Sequence, residues 1–167
     1  MPFRRRRWDE QPSAPCDVLL ASDGRHDFSS RAVARAAALA GDGGHVAVVT
    51  IARIYGSAYG LPNAGLLPTK RELVERREWV GAAIRTLQRK GAVADGQVAS
   101  TRKATKKLAA IARLRRPRIV VIDETPETGL RRLVEGDVGS ELRKKLRRDS
   151  IDVEVVPAAA VNSATSG

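Results

Sequence analysis

The sequence predicts an α/β protein built around a five-stranded, mostly parallel, doubly wound sheet. Short apolar runs alternate with amphipathic helical patterns along the chain, and each helical pattern lies between two runs. The predicted strands are apolar at most positions, which is typical of parallel strands covered by helices on both faces. A chain of 167 residues, 43% of them hydrophobic, is long enough to bury the core of one such domain.

The first predicted strand and helix follow a basic N-terminal segment. Residues 17–22 contain consecutive large aliphatic side chains, Val18 to Leu20, and are predicted to form a buried strand. Residues 29–40 carry apolar side chains at helical spacing and are predicted to form a helix. The alternative N-cap residues of this helix are Asp27, Ser29 and Ser30.

The second predicted strand and helix are separated by a long loop. Residues 46–54 are rich in β-branched side chains and predict a strand, whereas residues 55–68 are rich in Gly, Pro and Asn and predict a loop. Thr69 and Glu72 have the spacing of a capping box, in which each side chain accepts a hydrogen bond from the other residue's backbone. We therefore expect them to open a long helix that ends at Gly91.

The second half of the chain is predicted to contain three strands and two helices. The expected strands are residues 92–100, 118–122 and 151–156. A helix over residues 101–116 is expected to stop before Pro117, and a last helix, capped by Asp137, is expected to run to Arg148.

Composition excludes several classes of protein. Cys16 is the only cysteine, so no disulfide can form within the chain and a reducing, cytoplasmic location is expected. Every apolar run is too short to cross a bilayer, so no membrane association is predicted. Residues 1–15 are predicted to be a flexible basic arm, residues 16–157 the α/β domain, and residues 158–167 a disordered tail.

The formal net charge of +11 is distributed unevenly along the chain. Residues 97–122 contain eight Lys and Arg and no acid, and residues 139–149 contain five against two acids. Residues 123–138 are the opposite, with five acids against two Arg. The sequence therefore predicts a basic body with one acidic segment.

Polar side chains follow the predicted strands at the edge where parallel α/β sheets bind ligands. That edge lies outside the carboxyl ends of the strands, at the point where the strand order changes direction. In this sequence it would carry Asp23 after the first strand, residues 51–54 at the end of the second, and Asp123 after the fourth.

Three segments resemble the universal stress proteins, which have a small flavodoxin-like, adenine-nucleotide-hydrolase-like fold. They are residues 18–24, which end in Asp-Gly; residues 119–122 with 128–136, which contain Gly-Leu-Arg-Arg-Leu; and residues 153–157. The resemblance covers about residues 17–157. It implies a role in stress-linked regulation.

ATP-binding members of that family carry Gly-x2-Gly-x9-Gly-Ser/Thr after the fourth strand, where bare glycines let backbone amides approach phosphate. Aligned through residues 129–132, this sequence keeps only the third glycine. The residues at the four motif positions are Asp123, Pro126, Gly136 and Asp137. A competing register places the last pair at Gly139 and Ser140 and requires an insertion elsewhere.

These substitutions predict that the chain does not bind ATP in the family manner. Pro126 donates no amide hydrogen bond. Asp123 and Asp137 would bring carboxylates near phosphate oxygens, and two like charges about 4 Å apart cost about 4 kcal/mol at an effective dielectric constant near 20. Two such contacts could cancel the binding free energy of a micromolar ligand, about 8 kcal/mol. A Mg²⁺ ion between the groups would reverse this argument.

The resemblance also implies candidate contacts to a nucleoside. Asp23 matches an aspartate that meets the nucleoside, and Ile51 matches an apolar position beside adenine. Ile122 is the residue before the first motif position, and Val138 follows the last. No bound cofactor is predicted, with ATP or another adenine nucleotide as the alternative.

No metal site or catalytic nucleophile is predicted. Acidic residues near the end of the fourth strand are of the type that binds Mg²⁺ or Ca²⁺, but their spacing matches no known ligand loop. A solvated acidic loop is predicted instead, with pairing to a basic surface of a second subunit as an alternative. His26 and His45 lack metal-ligand spacing and are predicted to be surface residues, and Cys16 has no nearby His.

The basic helix is the candidate surface for nucleic acid. Exposed Lys and Arg neutralise phosphates, and Arg4–Arg7 in the arm would add to them. The alternative is a solvated helix without a partner. The candidate contacts are Arg102, Lys103, Lys106, Lys107, Arg113, Arg115 and Arg116.

The predicted function is that of a nucleotide-independent regulatory or scaffold protein. No nucleophile elbow, P-loop or zinc-protease motif is present, so no enzyme is expected. The alternatives are a nucleic-acid-associated basic protein and a sensor of a small adenine nucleotide such as ATP, AMP or cyclic AMP. Family members commonly dimerise through the last strand, and the alternation at Val153 and Val155 predicts a homodimer through that edge.

Overall fold

Five strands form a parallel sheet in the computed structural model, which describes residues 14–54, 67–124 and 138–157. The strands are β1 (Val18–Ser22), β2 (His45–Arg53), β3 (Val93–Thr101), β4 (Ile119–Glu124) and β5 (Asp152–Pro157). Their order is β3-β2-β1-β4-β5, and all four neighbouring pairs are parallel. The predicted five-stranded sheet is confirmed.

The strand order changes direction at β1. Val18 pairs with Val46 of β2 on one side and with Ile119 of β4 on the other. The chain first builds outward through β2 to β3 and then returns to add β4 and β5. In such sheets the carboxyl ends of the two strands at the change of direction frame the ligand-binding crevice.

Within the described residues, four helices cover both faces of the sheet. They are α1 (Ser30–Ala40), α2 (Lys70–Arg89), α3 (Ala104–Arg115) and α4 (Val138–Leu146), the last followed by a 3₁₀ turn (Arg147–Asp149). Ser29 is the N-cap of α1, which selects one of the three predicted alternatives. Thr69 and Glu72 form both hydrogen bonds of the predicted capping box at the start of α2.

The core consists of two apolar layers, one on each face of the sheet. Val18 and Leu20 of β1 pack with α1 and α2, whereas Leu19 and Ala21 pack with α3 and α4. Successive side chains of a strand point to opposite faces, so a central parallel strand must be apolar at every position. All five β1 residues are buried, Ser22 included.

Two of the element boundaries that differ from the sequence expectations are set by strand pairing. β4 runs to Glu124 rather than ending at residue 122, because Asp123 and Glu124 continue the ladder with Val156 and Pro157. The third helix begins at Ala104 rather than residue 101, because β3 pairs with β2 as far as Thr101. In both cases pairing with a neighbouring strand overrides the local sequence preference.

Several predicted segments lie outside the described residues. They include most of the N-terminal arm, the C-terminal tail from residue 158, and residues 55–66 of the loop after β2. Residues 125–137, with the predicted helix cap Asp137, also lie outside them. Among the described helices, none is both long enough and apolar enough to cross a bilayer.

Candidate functional site

Three buried polar residues lie together near the carboxyl edge of the sheet. Ser22 of β1 and Thr50 of β2 share a hydrogen bond of 2.8 Å between their hydroxyl oxygens, and both are fully buried. Asp123 of β4 pairs in register with Ser22 and is 1% exposed. Because three adjacent strands carry a polar residue at this level, the apolar core ends here on the α1 side.

Asp123 holds the N-terminus of α1. The backbone N–H of Ser29 donates to Oδ2 of Asp123 at 2.6 Å, and the Ser29 hydroxyl donates to Oδ1 at 3.0 Å. The same hydroxyl accepts a hydrogen bond from the backbone N–H of Ala32 at 3.2 Å. A buried carboxylate needs such donors to offset its lost hydration.

This placement corrects one part of the electrostatic argument made from the sequence. From the sequence, the Asp123 carboxylate was expected to lie near phosphate oxygens. In the structure its side chain points to α1 and accepts hydrogen bonds from Ser29. Pro126, Gly136 and Asp137 lie outside the described residues, so their part of the argument stays a prediction. Gly139 and Ser140 of the competing register lie in the first turn of α4.

Asp23, the predicted nucleoside contact, lies between two guanidinium groups. Its Oδ2 is 3.1 Å from Nε of Arg25 and 3.5 Å from Nη2 of Arg53, and all three side chains are less than one quarter exposed. Its Oδ1 also accepts a hydrogen bond from the backbone N–H of Arg25. The carboxylate is therefore neutralised within the protein.

Gly24 lets the segment after β1 pass directly over the backbone of β2. Its φ is +84°, and a Cβ atom at this position would lie 1.7 Å from the carbonyl oxygen of Ile51. Only glycine permits both the left-handed conformation and this close approach. The close approach brings the segment that carries Asp23 and Arg25 next to the end of β2.

The three apolar candidate contacts belong to one layer of the core. Ile51 is fully buried and Ile122 is 2% exposed, and both lie in the layer formed with α3 and α4. Val138, at the start of α4, packs against the same layer. The fold thus brings together Ile51, Ile122 and Val138, which are far apart in sequence.

The described residues contain no group of three or more His, Cys, Asp or Glu side chains that could hold a metal ion. His26 lies in the turn after β1, where its Nδ1 is 2.7 Å from the carbonyl oxygen of Asp27. His45 is paired with the carboxylate of Asp95. Of the predicted acidic loop, Glu127 and Asp137 lie outside the described residues.

Arg115 is the one candidate nucleic-acid contact that the structure removes from the surface. It is 1% exposed and donates two hydrogen bonds to Asp95, at 2.8 and 2.6 Å. A third bond from its Nε reaches the backbone carbonyl of Ala14. The prediction was wrong for Arg115 because it sits on the inner face of α3, next to Leu108 and Ile111 in helical spacing.

The remaining cations of that segment stay at the surface. Arg102, Lys103, Lys106, Arg113 and Arg116 are exposed, and Lys107 is partly exposed. Arg113 is engaged with the neighbouring helix region, since its Nε lies 3.1 Å from Oδ2 of Asp149 and its Nη2 donates to the carbonyl of Lys145. The basic segment therefore forms an exposed surface that continues onto α4.

Four residues near this edge were not among the candidate contacts named from the sequence: Ser22, Arg25, Thr50 and Arg53. Ser22, Arg25 and Arg53 lie at or just after the carboxyl end of β1 or β2, whereas Thr50 lies inside β2. For Ser22 and Arg53 the usable signal was a polar residue at the end of an otherwise apolar run, which marks the position where the strand leaves the core. Their pairing with Asp23 and with each other depends on strand register, which the sequence does not specify.

Comparison with solved structures identifies the fold. A universal stress protein from Archaeoglobus fulgidus is 17% identical with a TM-score of 0.58, over 85% of this chain and 93% of that one. A universal stress protein in complex with cAMP is 14% identical with a TM-score of 0.59, over 87% and 100%. A family protein from Arabidopsis thaliana with AMP bound is 10% identical with a TM-score of 0.54, over 91% and 98%.

The chain therefore has the fold of the universal stress proteins, as the resemblance implied. The sequence matches no protein-family model and no curated protein. At these sequence identities the similarity concerns the fold alone.

Proposed function

We propose that this chain is a regulatory protein with the universal stress protein fold that does not bind ATP in the manner of the family's ATP-binding members. Asp123 carries the proposal. At the first glycine position of the phosphate loop, this chain has a strand residue whose buried carboxylate is bonded to Ser29. Because Asp123 is held in the ladder with β5 and carries a side chain, the backbone at this position lacks the open approach to phosphate that a glycine provides.

Asp23 supports the same conclusion from the other side of the crevice. Its carboxylate is already bonded to Arg25 and lies beside Arg53. A nucleoside hydroxyl would have to displace charge-assisted contacts, which are about twice as strong as neutral hydrogen bonds. In place of ATP binding, the proposed activity is binding to another macromolecule. The protein would act without catalysis, as a cytoplasmic homodimer.

Equilibrium dialysis with ATP and Mg²⁺ tests this proposal on the full chain. We expect no stoichiometric uptake at micromolar ATP. An Asp123→Gly, Pro126→Gly, Asp137→Ser variant, which restores the family motif in the first register, is the matched comparison. Micromolar, stoichiometric uptake by the unaltered protein would refute the proposal.

A second candidate function is the sensing of a small adenine monophosphate. Two structural neighbours contain cAMP or AMP, each of which carries a single phosphate. Ile51 and Ile122 are buried in the core, so Val138, which is partly exposed beside them at the start of α4, is the described residue that supports an apolar contact with a base. A ligand at 100 times its Kd raises the free energy of unfolding by about 2.7 kcal/mol.

A thermal-shift series with AMP, cAMP and ATP distinguishes the two functions. Stabilisation by a monophosphate and not by ATP, abolished in Val138→Glu, would favour the sensor, because Val138 is a partly exposed candidate contact. The absence of a shift with any nucleotide would favour the nucleotide-independent regulator.

A further inference from the structure

The outer surface of α3 and α4 combines two basic stretches that are separated in sequence. Both helices cover the same face of the sheet, and Arg113 joins them through Asp149 and the carbonyl of Lys145. We define the α3–α4 basic face by its exposed cations. They are Lys103, Lys106, Arg113, Lys144, Lys145 and Arg148.

The spacing of these residues gives the face its continuity. Lys106 and Arg113 are seven residues apart on α3, so they project from the same side of the helix about 10.5 Å apart. The acids within the two helices and the following 3₁₀ turn are Glu141 and Asp149, and Asp149 is paired with Arg113. The face therefore carries a net positive charge, with six cations against Glu141 and Asp149.

Helix stability does not account for this charge. Cations near a helix C-terminus complement the helix dipole, which explains Arg113 and Lys145. Lys103 and Lys106 lie at the N-cap and in the first turn of α3, where a positive charge opposes the dipole. That terminus has no acidic residue in its first turn and no side-chain cap. Its lysines thus cost stability, which points to a role in binding.

The N-terminus of the described chain lies beside this face. Cys16 donates its backbone N–H to the carbonyl of Arg115 at 3.0 Å, and Arg115 binds the carbonyl of Ala14. The chain therefore enters the domain at the C-terminal end of α3. The sequence carries Arg4–Arg7 within ten residues upstream of Ala14.

The chemistry of the face favours a phosphodiester polyanion over an anionic membrane. An interfacial helix inserts a large apolar face into the lipid, but the apolar side of α3 is packed into the core. Leu114 is the one large hydrophobic residue of the described α3 and α4 that is exposed. The described aromatic residues, Phe28 and Trp79, belong to the opposite side, so no stacking platform for single strands accompanies the charge.

We infer that the α3–α4 basic face binds the sugar–phosphate backbone of duplex nucleic acid without reading its sequence. The inference is independent of the proposed lack of ATP binding, since none of the six cations of the face is a candidate nucleotide contact. Phosphate neutralisation by lysines makes such binding strongly salt-dependent, with a slope in log K against log salt of about −0.9 for each phosphate contacted.

Fluorescence anisotropy with a labelled 20-base-pair duplex, over a salt series beginning at low salt, tests the inference on the full chain. The face variant carries Lys103→Gln, Lys106→Gln, Lys144→Gln and Lys145→Gln. The control variant removes the same charge from the opposite face through Arg31→Gln, Arg71→Gln, Arg85→Gln and Lys90→Gln. All eight side chains are exposed, and Gln has nearly the helix propensity of Lys and Arg.

We expect the face variant to lose about tenfold or more in affinity at low salt and to reduce the salt slope by about three to four. The control variant should lose less than about threefold, because it changes net charge alone. The melting temperature of the face variant should stay close to that of the unaltered protein, since two of its changes remove cations that oppose the α3 dipole and the other two remove cations that complement the α4 dipole.

Five results would overturn the inference. Three of them are an absence of duplex binding at low salt, equal losses in the two variants, and a loss of binding that accompanies a lowered melting temperature in the face variant. Binding to vesicles of anionic phospholipid without binding to the duplex would assign the face to a membrane and would also overturn it. Tighter binding to the matching single strand than to the duplex would do the same.

Discussion

The ionisation of Asp95 depends on two residues that the fold brings to it. It lies on the edge strand β3, where the guanidinium of Arg115 and the imidazole of His45 both contact it. Burial would by itself raise the pKa of Asp95, but the hydrogen bonds and charges of Arg115 and His45 outweigh burial and hold that pKa below its ordinary value. Through these two contacts Asp95 links β3 to β2 and to α3.

An Asp95→Asn variant should lose about 1–3 kcal/mol of unfolding free energy at pH 7, because Arg115 would stay buried without its carboxylate. A lowered folded-state pKa contributes stability that is present above the unfolded-state pKa and is lost as pH falls through the folded value. The difference between the two proteins should therefore shrink below about pH 4. Urea denaturation between pH 7 and pH 3 measures it, and a difference that grows on acidification would contradict the assignment.

Cys16 is predicted to be chemically inert in the native protein. Burial raises the pKa of its thiol to about 11, and the nearby charge of Arg115 only partly opposes this. Since the thiolate is the reactive form, the native thiol should react with iodoacetamide at pH 8 about 100-fold or more slowly than a thiol of pKa 9.0. Mass spectrometry of timed samples measures the rate, with the urea-unfolded protein as control. Equal rates in the two states would refute the prediction.

The turn after β1 shows how a single glycine allows two elements to meet. Gly24 combines a φ of +84° with a backbone contact at Ile51, whereas Gly43 has a φ of +71° and open space around its missing Cβ. Comparing substitutions at Gly24 and Gly43 therefore distinguishes the free-energy cost of the backbone conformation from that of a steric clash.

A Gly24→Ala variant should lose about 2–4 kcal/mol of unfolding free energy, because it adds a clash to an unfavourable φ. Gly43→Ala should lose about 1 kcal/mol, since it carries the conformational cost alone. Chemical denaturation of both variants gives the comparison. Equal losses would show that the contact with Ile51 relaxes freely.

The N-terminus of α1 depends on a strand that is remote in sequence. Ser29 caps the helix through Ala32, and the same hydroxyl donates to Asp123, which is 94 residues away. The N-cap therefore serves both local structure and the attachment of α1 to β4. This arrangement makes the carboxyl end of β4 a rigid part of the sheet as far as the described residues extend.

Assembly of the protein is predicted to involve β5, which lies at an edge of the sheet. Asp152 donates its backbone N–H to Arg118, toward β4. Because successive amides of a strand point to opposite sides, those of Val153 and Val155 point away from the sheet. On this outward side the carbonyl of Val153 accepts a hydrogen bond from Arg143, so the predicted pairing with a second copy depends first on Val155.

Val155→Pro should convert the predicted dimer into a monomer without unfolding it, because proline removes one outward amide and leaves the ladder with β4 intact. Size-exclusion chromatography with light scattering gives the mass, and circular dichroism controls for folding. Identical masses for a folded Val155→Pro variant and the unaltered protein would count against pairing through this edge.

The order and type of the elements could be read from the sequence because local signals agreed with the fold. Unbroken apolar runs such as residues 18–20 indicated strands buried on both faces, and Thr69 with Glu72 marked the start of α2. The boundaries at Asp123 and Ala104 could not be read, since strand pairing sets them. The likeness at the strand ends also indicated the family whose fold the structure has.

The partners of the charged residues were determined by register and packing. The pattern of α3 showed how many cations it carries, but only the helix rotation buries Arg115 against Asp95 and leaves Lys106 outside. From the sequence, Asp123 was assigned to a loop, but β4 extends to include it and places it beside Ser29. Arg25 and Arg53 contact Asp23 only because β1 and β2 end at the same edge of the sheet. Local preferences act over a few residues, whereas a charge interacts with whatever the chain brings within a few ångströms, and that is a property of the folded molecule.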